Sequence, residues 1–311
     1  MNTIAVVFPG QASQYVGMGK DLYDSDADVR QLYDIASQAI GEDIAKIAFD
    51  GPAETLKQTR FTQPAILLHS LAVLTVMKDA IPDAAVTAGH SLGEYGSLAL
   101  AGVLSAEEAV KAVGRRAQLM EQACQETPST MAAIIGLDRE KVAEICQIAS
   151  AKGVVVPANY NSASQLVISG TVEAVGEACR LCKESGAKRA LELQVGGAFH
   201  SPLMESAQKG MKDYLETVDF LPPNIEIVPN VTAESETDST RLKELLVAQL
   251  TSPVKWHQTM QTFVRRGVDV LIEVGPSKVL TGLAKREMKG TKAINIDTMQ
   301  DIEAFSTVMA G

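Results

Sequence analysis

The sequence contains few cysteines, few aromatic residues and a deficit of positive charge. Four cysteines in 311 residues are too few for a disulfide scaffold, and a reducing compartment explains them without further assumptions. Cys179 and Cys182 are the only closely spaced pair, so we expect no metal site. The 28 basic residues against 38 acidic ones give a formal net charge of −10, which argues against a nucleic-acid-binding protein.

Long uninterrupted hydrophobic runs are also lacking. The most apolar stretch, residues 61–77, contains Gln63 and His69, so we expect a buried helix there and no membrane anchor. The first apolar run, residues 4–8, ends at a Pro-Gly pair and has no basic residue before it, so we expect no secretory signal. These features predict a cytoplasmic protein. The 46% hydrophobic content is that of an ordinary globular chain.

The order of predicted elements indicates an α/β protein with two domains. Short β-branched runs alternate with helical periodicity over residues 1–126 and again over 198–311, which is typical of a parallel sheet flanked by helices. Residues 127–197 instead follow the order βαββαβ, which is the signature of a ferredoxin-like fold. The sequence therefore predicts a large domain of residues 1–126 and 198–311 with an inserted small domain of residues 127–197.

Residues 89–93, Gly-His-Ser-Leu-Gly, fit the pattern of a nucleophile elbow, in which a serine stands at a sharp strand-to-helix turn. Glycines on both sides allow the backbone to bend tightly, so that Ser91 Oγ projects clear of the sheet. The following helix then offers the backbone amide of Leu92 to a developing oxyanion. A plain glycine-rich turn with a helix-capping serine is the alternative.

A serine nucleophile needs a base, and the chain has four histidines. His90 is adjacent to the serine and points to the opposite face of the strand, while His69 lies in the apolar helix. His257 stands at a helix start, which is typical of a packing or capping residue. His200 lies in a loop at the domain junction, where catalytic groups are common, and we prefer it to His257. No acidic motif marks a third partner, so a backbone carbonyl is expected to orient His200.

Two further features are candidates for substrate binding. Arg115 and Arg116 follow a capping box that begins at Ser105, and successive helix positions diverge by about 100°, so at most one of them can face the elbow. A guanidinium there would bind a substrate carboxylate through two hydrogen bonds. Residues 8–14 end the first strand in a Pro-Gly turn, whose edge amides can serve as oxyanion donors. An ordinary surface cation and a plain connection are the respective alternatives.

Together these segments resemble the malonyl-CoA:acyl carrier protein transacylase family of bacterial fatty acid synthesis. Seven segments match in order over nearly the whole chain: residues 6–11, 62–65, 89–95, 131–136, 197–204, 249 with 253–256, and 273–280. The resemblance implies a hydrolase-like α/β core with the ferredoxin-like insert. It also implies the following site residues: nucleophile Ser91, base His200, oxyanion-hole backbone amides of Gln11 and Leu92, malonyl-binding Arg116, Phe199 beside the base, and Gln249, whose main-chain carbonyl orients His200.

The implied activity is transfer of a malonyl group from malonyl-CoA to the phosphopantetheine thiol of acyl carrier protein, through a Ser91 ester and with ping-pong kinetics. No cofactor is implied. Basic residues that could dock an acidic carrier are Lys188, Arg189, Lys285 and Arg286, with scattered solubilising charges as the alternative. Ala12 stands where family members more often carry glycine, so its Cβ strains the oxyanion turn if φ is positive there. Alternatives for the activity are a polyketide-synthase acyltransferase, a serine thioesterase or carboxylesterase, and a non-catalytic binding protein.

Overall fold

The structure is a computed structural model that describes residues 2–78 and 83–310. Its larger sheet is parallel throughout, with strand order β7-β2-β1-β8-β9. These strands are β1 (Ile4–Phe8), β2 (Val86–Gly89), β7 (Glu226–Ile227), β8 (Val270–Val274) and β9 (Lys292–Ile296). The central strands β1 and β2 are buried on both faces, which explains the continuous apolar sequence of β1; the one polar side chain of β2, Thr87, donates to Val6 O.

The smaller sheet is antiparallel, with strand order β4-β5-β3-β6. Its strands are β3 (Ser129–Ile135), β4 (Val155–Ser162), β5 (Gln165–Thr171) and β6 (Arg189–Glu192). Helices α8 (Arg139–Ala149) and α9 (Val172–Glu184) pack on it around a shared apolar cluster. This is the predicted βαββαβ order, and the predicted fold class is confirmed. All six elements lie within residues 127–197, the predicted small domain. The exact domain boundaries stay a prediction.

The remaining helices belong to the larger unit: α1 (Lys20–Ser25), α2 (Ala27–Ile40), α3 (Ile44–Asp50), α4 (Ala53–Leu56), α5 (Thr59–Met77), α6 (Glu94–Leu100), α7 (Ala106–Glu126), α10 (Glu205–Leu215), α11 (Ser239–Ala248), α12 (Trp256–Arg265), α13 (Val279–Glu287) and α14 (Met299–Ala310). Within residues 2–78 and 83–310, no helix is long and apolar enough to cross a membrane.

Helix α7 begins as the sequence predicts. Ser105 Oγ accepts a hydrogen bond from the Glu108 backbone amide at 3.1 Å, and the Glu108 carboxylate accepts one from the Ser105 amide at 2.9 Å. This capping box satisfies two amides that the first turn would leave without partners. The helix then runs beside α5, and the two together carry polar side chains of Gln63 and Arg116 into the interior.

Several elements differ from the sequence-based expectation. The strand expected near residues 225–228 is only two residues long, because the Asn224 amide bonds to Ala101 O outside the sheet and Pro229 has no amide to continue the ladder. The helix expected from Pro202 starts as a single 3₁₀ turn before α10 begins at Glu205. Helices α1, α3, α4, α11, α13 and α14 were not expected, and most of them are short.

The two sheets are joined close to the elbow. Strand β4 forms a parallel bridge with the segment before α12: Tyr160 N donates to Val254 O and Val254 N to Ala158 O, both at 2.8 Å. His90, immediately after β2, makes a second link through its Nε2, which lies 2.9 Å from Asn161 Oδ1 on β4. A cleft between the two units therefore opens beside residues 89–93.

Candidate active site

Ser91 stands at a strained turn between β2 and α6. Its φ of 52° lies in the left-handed region, which a residue with a Cβ rarely adopts. Both flanking glycines are required by packing, because a Cβ on Gly89 would lie 1.9 Å from the Gly93 carbonyl carbon. A Cβ on Gly93 would lie 2.3 Å from Phe8 O of β1. The elbow is thus pressed against the central strand, and this holds the serine at the carboxyl end of the sheet.

His200 is brought to Ser91 from the loop between β6 and α10, 109 positions along the chain. Its Nε2 lies 2.8 Å from Ser91 Oγ, and its Nδ1 lies 2.8 Å from the main-chain oxygen of Gln249. A carbonyl oxygen can only accept, so Nδ1 carries the proton and Nε2 is the acceptor. The imidazole therefore faces the serine hydroxyl with the nitrogen that can take its proton.

The protonation state of His200 follows from its surroundings. The side chain is 3% exposed, and burial together with the nearby Arg116 cation lowers the pKa of His200 to about 3. The imidazole is consequently neutral near pH 7, which is the state a general base requires. His200 itself has a positive φ of 58°, so the loop holds this side chain at a conformational cost.

Arg116 lies on the other side of the serine and is 1% exposed, whereas its neighbour Arg115 is exposed. Its Nη2 donates to Ser91 Oγ at 3.0 Å and to Gln249 Oε1 at 2.9 Å, and its Nη1 donates to Gln63 Oε1 at 2.5 Å. Because the guanidinium can only donate, the serine hydroxyl must direct its own proton to His200. The serine hydroxyl is thus hydrogen-bonded to both a cation and a base.

The turn after β1 faces the same cleft. The backbone amides of Gln11 and Leu92 donate no hydrogen bond to any group in the described part of the chain, and both residues line the cavity. The amide of Ser91 is unsuitable as a donor to a ligand, because it is already bonded to Asn230 Oδ1 at 2.7 Å. Ala12 has a φ of 81°, so the strain expected from its Cβ is present in the turn.

A buried polar network beneath the elbow was not found from the sequence. Glu94, the first residue of α6, accepts from the Asn230 amide at 3.0 Å and from Gln249 Nε2 at 2.8 Å. Asn230 Nδ2 in turn donates to Gly89 O at 2.6 Å. Glu94 and Gln249 lie within recognised segments, but only the main-chain carbonyl of Gln249 was assigned a role, and Asn230 lies outside those segments. The network members lie up to 155 positions apart, so no local pattern could have revealed their contacts.

The other three histidines have partners of their own. His69 is fully buried, and its Nε2 lies 2.8 Å from Asp297 O, as expected for a core histidine. His257, the alternative base, pairs with Glu287 at 3.1 Å. The His90 imidazole is hydrogen-bonded to Asn161 and makes no hydrogen bond with the Ser91 hydroxyl. The structure therefore brings His200 alone of these residues to the serine.

The cleft encloses a cavity of about 460 Å³ over the serine. Its walls come from the smaller sheet and from loops and helices of the larger unit; they include apolar side chains of Met120, Met131, Phe199 and Leu280, and Arg286 also lines the cavity. Lys188, Arg189 and Lys285 are exposed and do not line the cavity. Residues 2–78 and 83–310 contain no group of three or more side chains that could hold a metal ion.

A serine on a glycine-flanked elbow, paired with a neutral histidine at the edge of a parallel α/β sheet, defines the class of serine hydrolases and acyltransferases. The profile of the acyl transferase domain family matches residues 5–305. The chain belongs to this acyl transferase family, and its resemblance to malonyl-CoA:acyl carrier protein transacylases is confirmed by three similar proteins.

The malonyl CoA-acyl carrier protein transacylase of Haemophilus influenzae is 44% identical over 310 residues, covering 99% of this chain and 98% of that protein. The structure of an acyl carrier protein S-malonyltransferase from Vibrio cholerae has a TM-score of 0.91 at 43% identity, covering 97% of this chain and 99% of that one. The structure of a malonyl-transacylase in complex with its type II polyketide acyl-carrier protein has a TM-score of 0.94 at 37% identity, covering 98% of this chain and 99% of that one.

Proposed function

We propose that this protein transfers the malonyl group of malonyl-CoA to the phosphopantetheine thiol of acyl carrier protein, through an ester on Ser91. The observation that carries the proposal is the contact of Ser91 Oγ with both Arg116 and His200, at 3.0 and 2.8 Å respectively. These contacts support a nucleophile that has both a general base and a carboxylate-binding cation within hydrogen-bond distance. Malonyl thioesters have a carboxylate two carbons from the reacting carbonyl.

In the first half-reaction, His200 Nε2 takes the Ser91 proton as Oγ attacks the thioester carbonyl. The amides of Gln11 and Leu92 receive the developing oxyanion, and removing one such donor costs about 3 to 4 kcal/mol of transition-state stabilisation. The carbon–sulfur bond then breaks, and the imidazolium returns its proton to the departing thiolate of CoA. The Gln249 carbonyl keeps the imidazole in the required tautomer throughout.

In the second half-reaction, the phosphopantetheine thiol of the carrier occupies the place that CoA has left. His200 takes the thiol proton, and the sulfur attacks the malonyl ester. Ser91 leaves with the proton returned by the imidazolium, and the starting enzyme is restored. Since CoA departs before the carrier reacts, the kinetics are ping-pong.

Arg116 selects the acyl group. An acetyl group would leave this buried guanidinium without a carboxylate partner, a penalty of about 1 to 3 kcal/mol that favours malonyl by tens to hundreds of fold. Phe199 is buried at the cavity wall beside the base and crowds an α-methyl branch. Methylmalonyl-CoA is therefore a poor substrate.

We further propose that the enzyme acts in the cytoplasm and supplies fatty acid elongation. Its four cysteines are all unpaired, which suits a reducing compartment. Arg286 at the cavity lining and its exposed neighbour Lys285 are the candidates for contact with an acidic carrier. A polyketide carrier is the second candidate partner, because one similar structure is a malonyl-transacylase bound to a type II polyketide carrier.

A transfer assay with two forms of the carrier tests the proposal. The enzyme is incubated with malonyl-CoA labelled in the malonyl group, and with carrier either bearing or lacking phosphopantetheine. We expect label on the phosphopantetheine form only, with little free malonate. Release of malonate at the same rate with either form would instead establish a hydrolase, and the proposed transfer would be wrong.

A further inference from the structure

Two buried groups of opposite charge lie on either side of one amide below the nucleophile. Arg116 is 1% exposed and Glu94 is 2% exposed, yet neither takes part in an ion pair within the described ranges. The side chain of Gln249 lies between them: its Oε1 accepts from Arg116 Nη2 at 2.9 Å, and its Nε2 donates to Glu94 Oε2 at 2.8 Å. An uncompensated charge is costly at such depth, so this separation needs an explanation.

Glu94 takes no part in either half-reaction, although it contacts several groups that hold the reacting residues. Besides Gln249, its Oε2 accepts from the backbone amide of Asn230 at 3.0 Å. Asn230 Oδ1 accepts from the Ser91 amide, and the Gln249 carbonyl accepts from His200. Both of the hydrogen bonds to Glu94 end on one oxygen. A glutamine at this position can therefore accept both and differ mainly in charge.

We propose that Glu94 is a positioning residue that compensates the charge of Arg116 from one amide away and so sets the affinity for acyl groups with a terminal carboxylate. The inference rests on the proposed malonyl transfer. A carboxylate in direct contact with Arg116 would use the donors that the substrate needs. With no carboxylate near, the uncompensated guanidinium would hold a substrate anion more tightly.

The charge on Glu94 also changes with pH near neutrality. The groups that face it are Arg116 from α7, Tyr95 from its own helix, and the Gln249 and Asn230 amides, with His200 beyond Gln249. Burial raises the pKa of Glu94 to about 7, while burial raises the pKa of Tyr95 far above neutrality and lowers that of His200 to about 3. Near neutral pH, Glu94 is therefore the group in this set that changes charge. As pH falls, Arg116 loses its compensation and malonyl binding should tighten.

Equilibrium binding isolates this effect from turnover. In the Ser91→Ala background, which cannot form the ester, calorimetry measures malonyl-CoA and acetyl-CoA binding with Glu94 and with Glu94→Gln. We expect Glu94→Gln to tighten malonyl-CoA binding about tenfold at alkaline pH and to abolish its pH dependence. Acetyl-CoA binding should not change, and it reports that the variant is folded. Equal changes for both ligands, or none for malonyl-CoA, would overturn the inference.

Kinetics with Ser91 present test the positioning role. Glu94→Gln should lower KM for malonyl-CoA while most of kcat is retained, because the two hydrogen bonds survive. Glu94→Ala should lower kcat by at least about tenfold, since Gln249 and Asn230 lose their acceptor. Equal kcat values for the two variants would contradict the role. If the protein with Glu94 intact transfers malonyl normally and Glu94→Gln has no effect on binding, the inference alone fails; if no malonyl is transferred, the proposed function fails.

Discussion

Replacing Arg116 by alanine tests how the cleft recognises its acyl group. The guanidinium lies 3.0 Å from Ser91 Oγ, and within residues 2–78 and 83–310 it has no carboxylate partner and its Nε has no hydrogen-bond partner. Two charge-assisted hydrogen bonds at about 1.5 to 2 kcal/mol each amount to about 3 to 4 kcal/mol. Since 1.4 kcal/mol is a factor of ten, kcat/KM for malonyl-CoA should fall about 10²- to 10³-fold.

Acetyl-CoA should respond differently, because it has no carboxylate to lose. Removing Arg116 also removes a cation that lowers the pKa of His200, so the base becomes stronger. We expect kcat/KM for acetyl-CoA to stay the same or to rise up to about tenfold. The assay is steady-state transfer to holo-carrier with each thioester, and the measured quantity is the malonyl-to-acetyl ratio.

Arg115→Ala is the matched control, since it removes the same type of side chain from the preceding position of α7, which is exposed. It should change either rate by less than about twofold. Arg116→Ala also leaves Gln63 and Gln249 without a donor, and some loss of stability is expected. That loss acts on both substrates alike. An unchanged malonyl-to-acetyl ratio in Arg116→Ala would refute the assignment.

Three further predictions concern the backbone and the base. Ala12→Gly should raise the free energy of unfolding by about 0.5 kcal/mol in urea titrations, because φ is 81° there, whereas Ala143→Gly on the exposed face of α8 should lower it by about 1 kcal/mol. Gly93→Ala should lower the free energy of unfolding by about 3 kcal/mol, since the new Cβ would lie 2.3 Å from Phe8 O of β1. Its control is Gly176→Ala in α9, whose new Cβ would meet nothing within 4 Å, so this change should be neutral or stabilising. Because the pKa of His200 falls from 6.5 to about 3 on folding, the unfolded chain binds more protons between these values. The free energy of unfolding should therefore drop as pH falls below about 6.5, and it should drop less steeply in His200→Gln. Equal pH slopes of the unfolding free energy in the two proteins would contradict a buried neutral imidazole.

The sequence predicts best what depends on neighbouring residues. The elbow is a local feature, since the two glycines and Ser91 lie within five positions and the surrounding strand and helix are adjacent. The capping box at Ser105 is likewise contained in four residues. The βαββαβ order follows from successive periodicities, so the fold class could be predicted without any knowledge of long-range contacts.

The buried polar network could not be predicted, because its members meet only in the folded chain. Glu94 joins Gln249 from 155 positions away and Asn230 from 136 positions away. Each of these residue types is common on surfaces, and nothing local marks them as buried. The short helices were missed for a related reason: α11 and α13 are ten and nine residues long, and packing rather than propensity stabilises helices of that length.

Intact-mass analysis of the enzyme after mixing with malonyl-CoA tests whether Ser91 carries the acyl group between the two thiols. We expect a gain of one malonyl group in the wild-type protein, mapped by peptide fragmentation to Ser91, and loss of that mass when holo-carrier is added. Ser91→Ala should gain nothing. A malonyl adduct of equal abundance in Ser91→Ala, or an adduct that holo-carrier does not remove, would contradict the account.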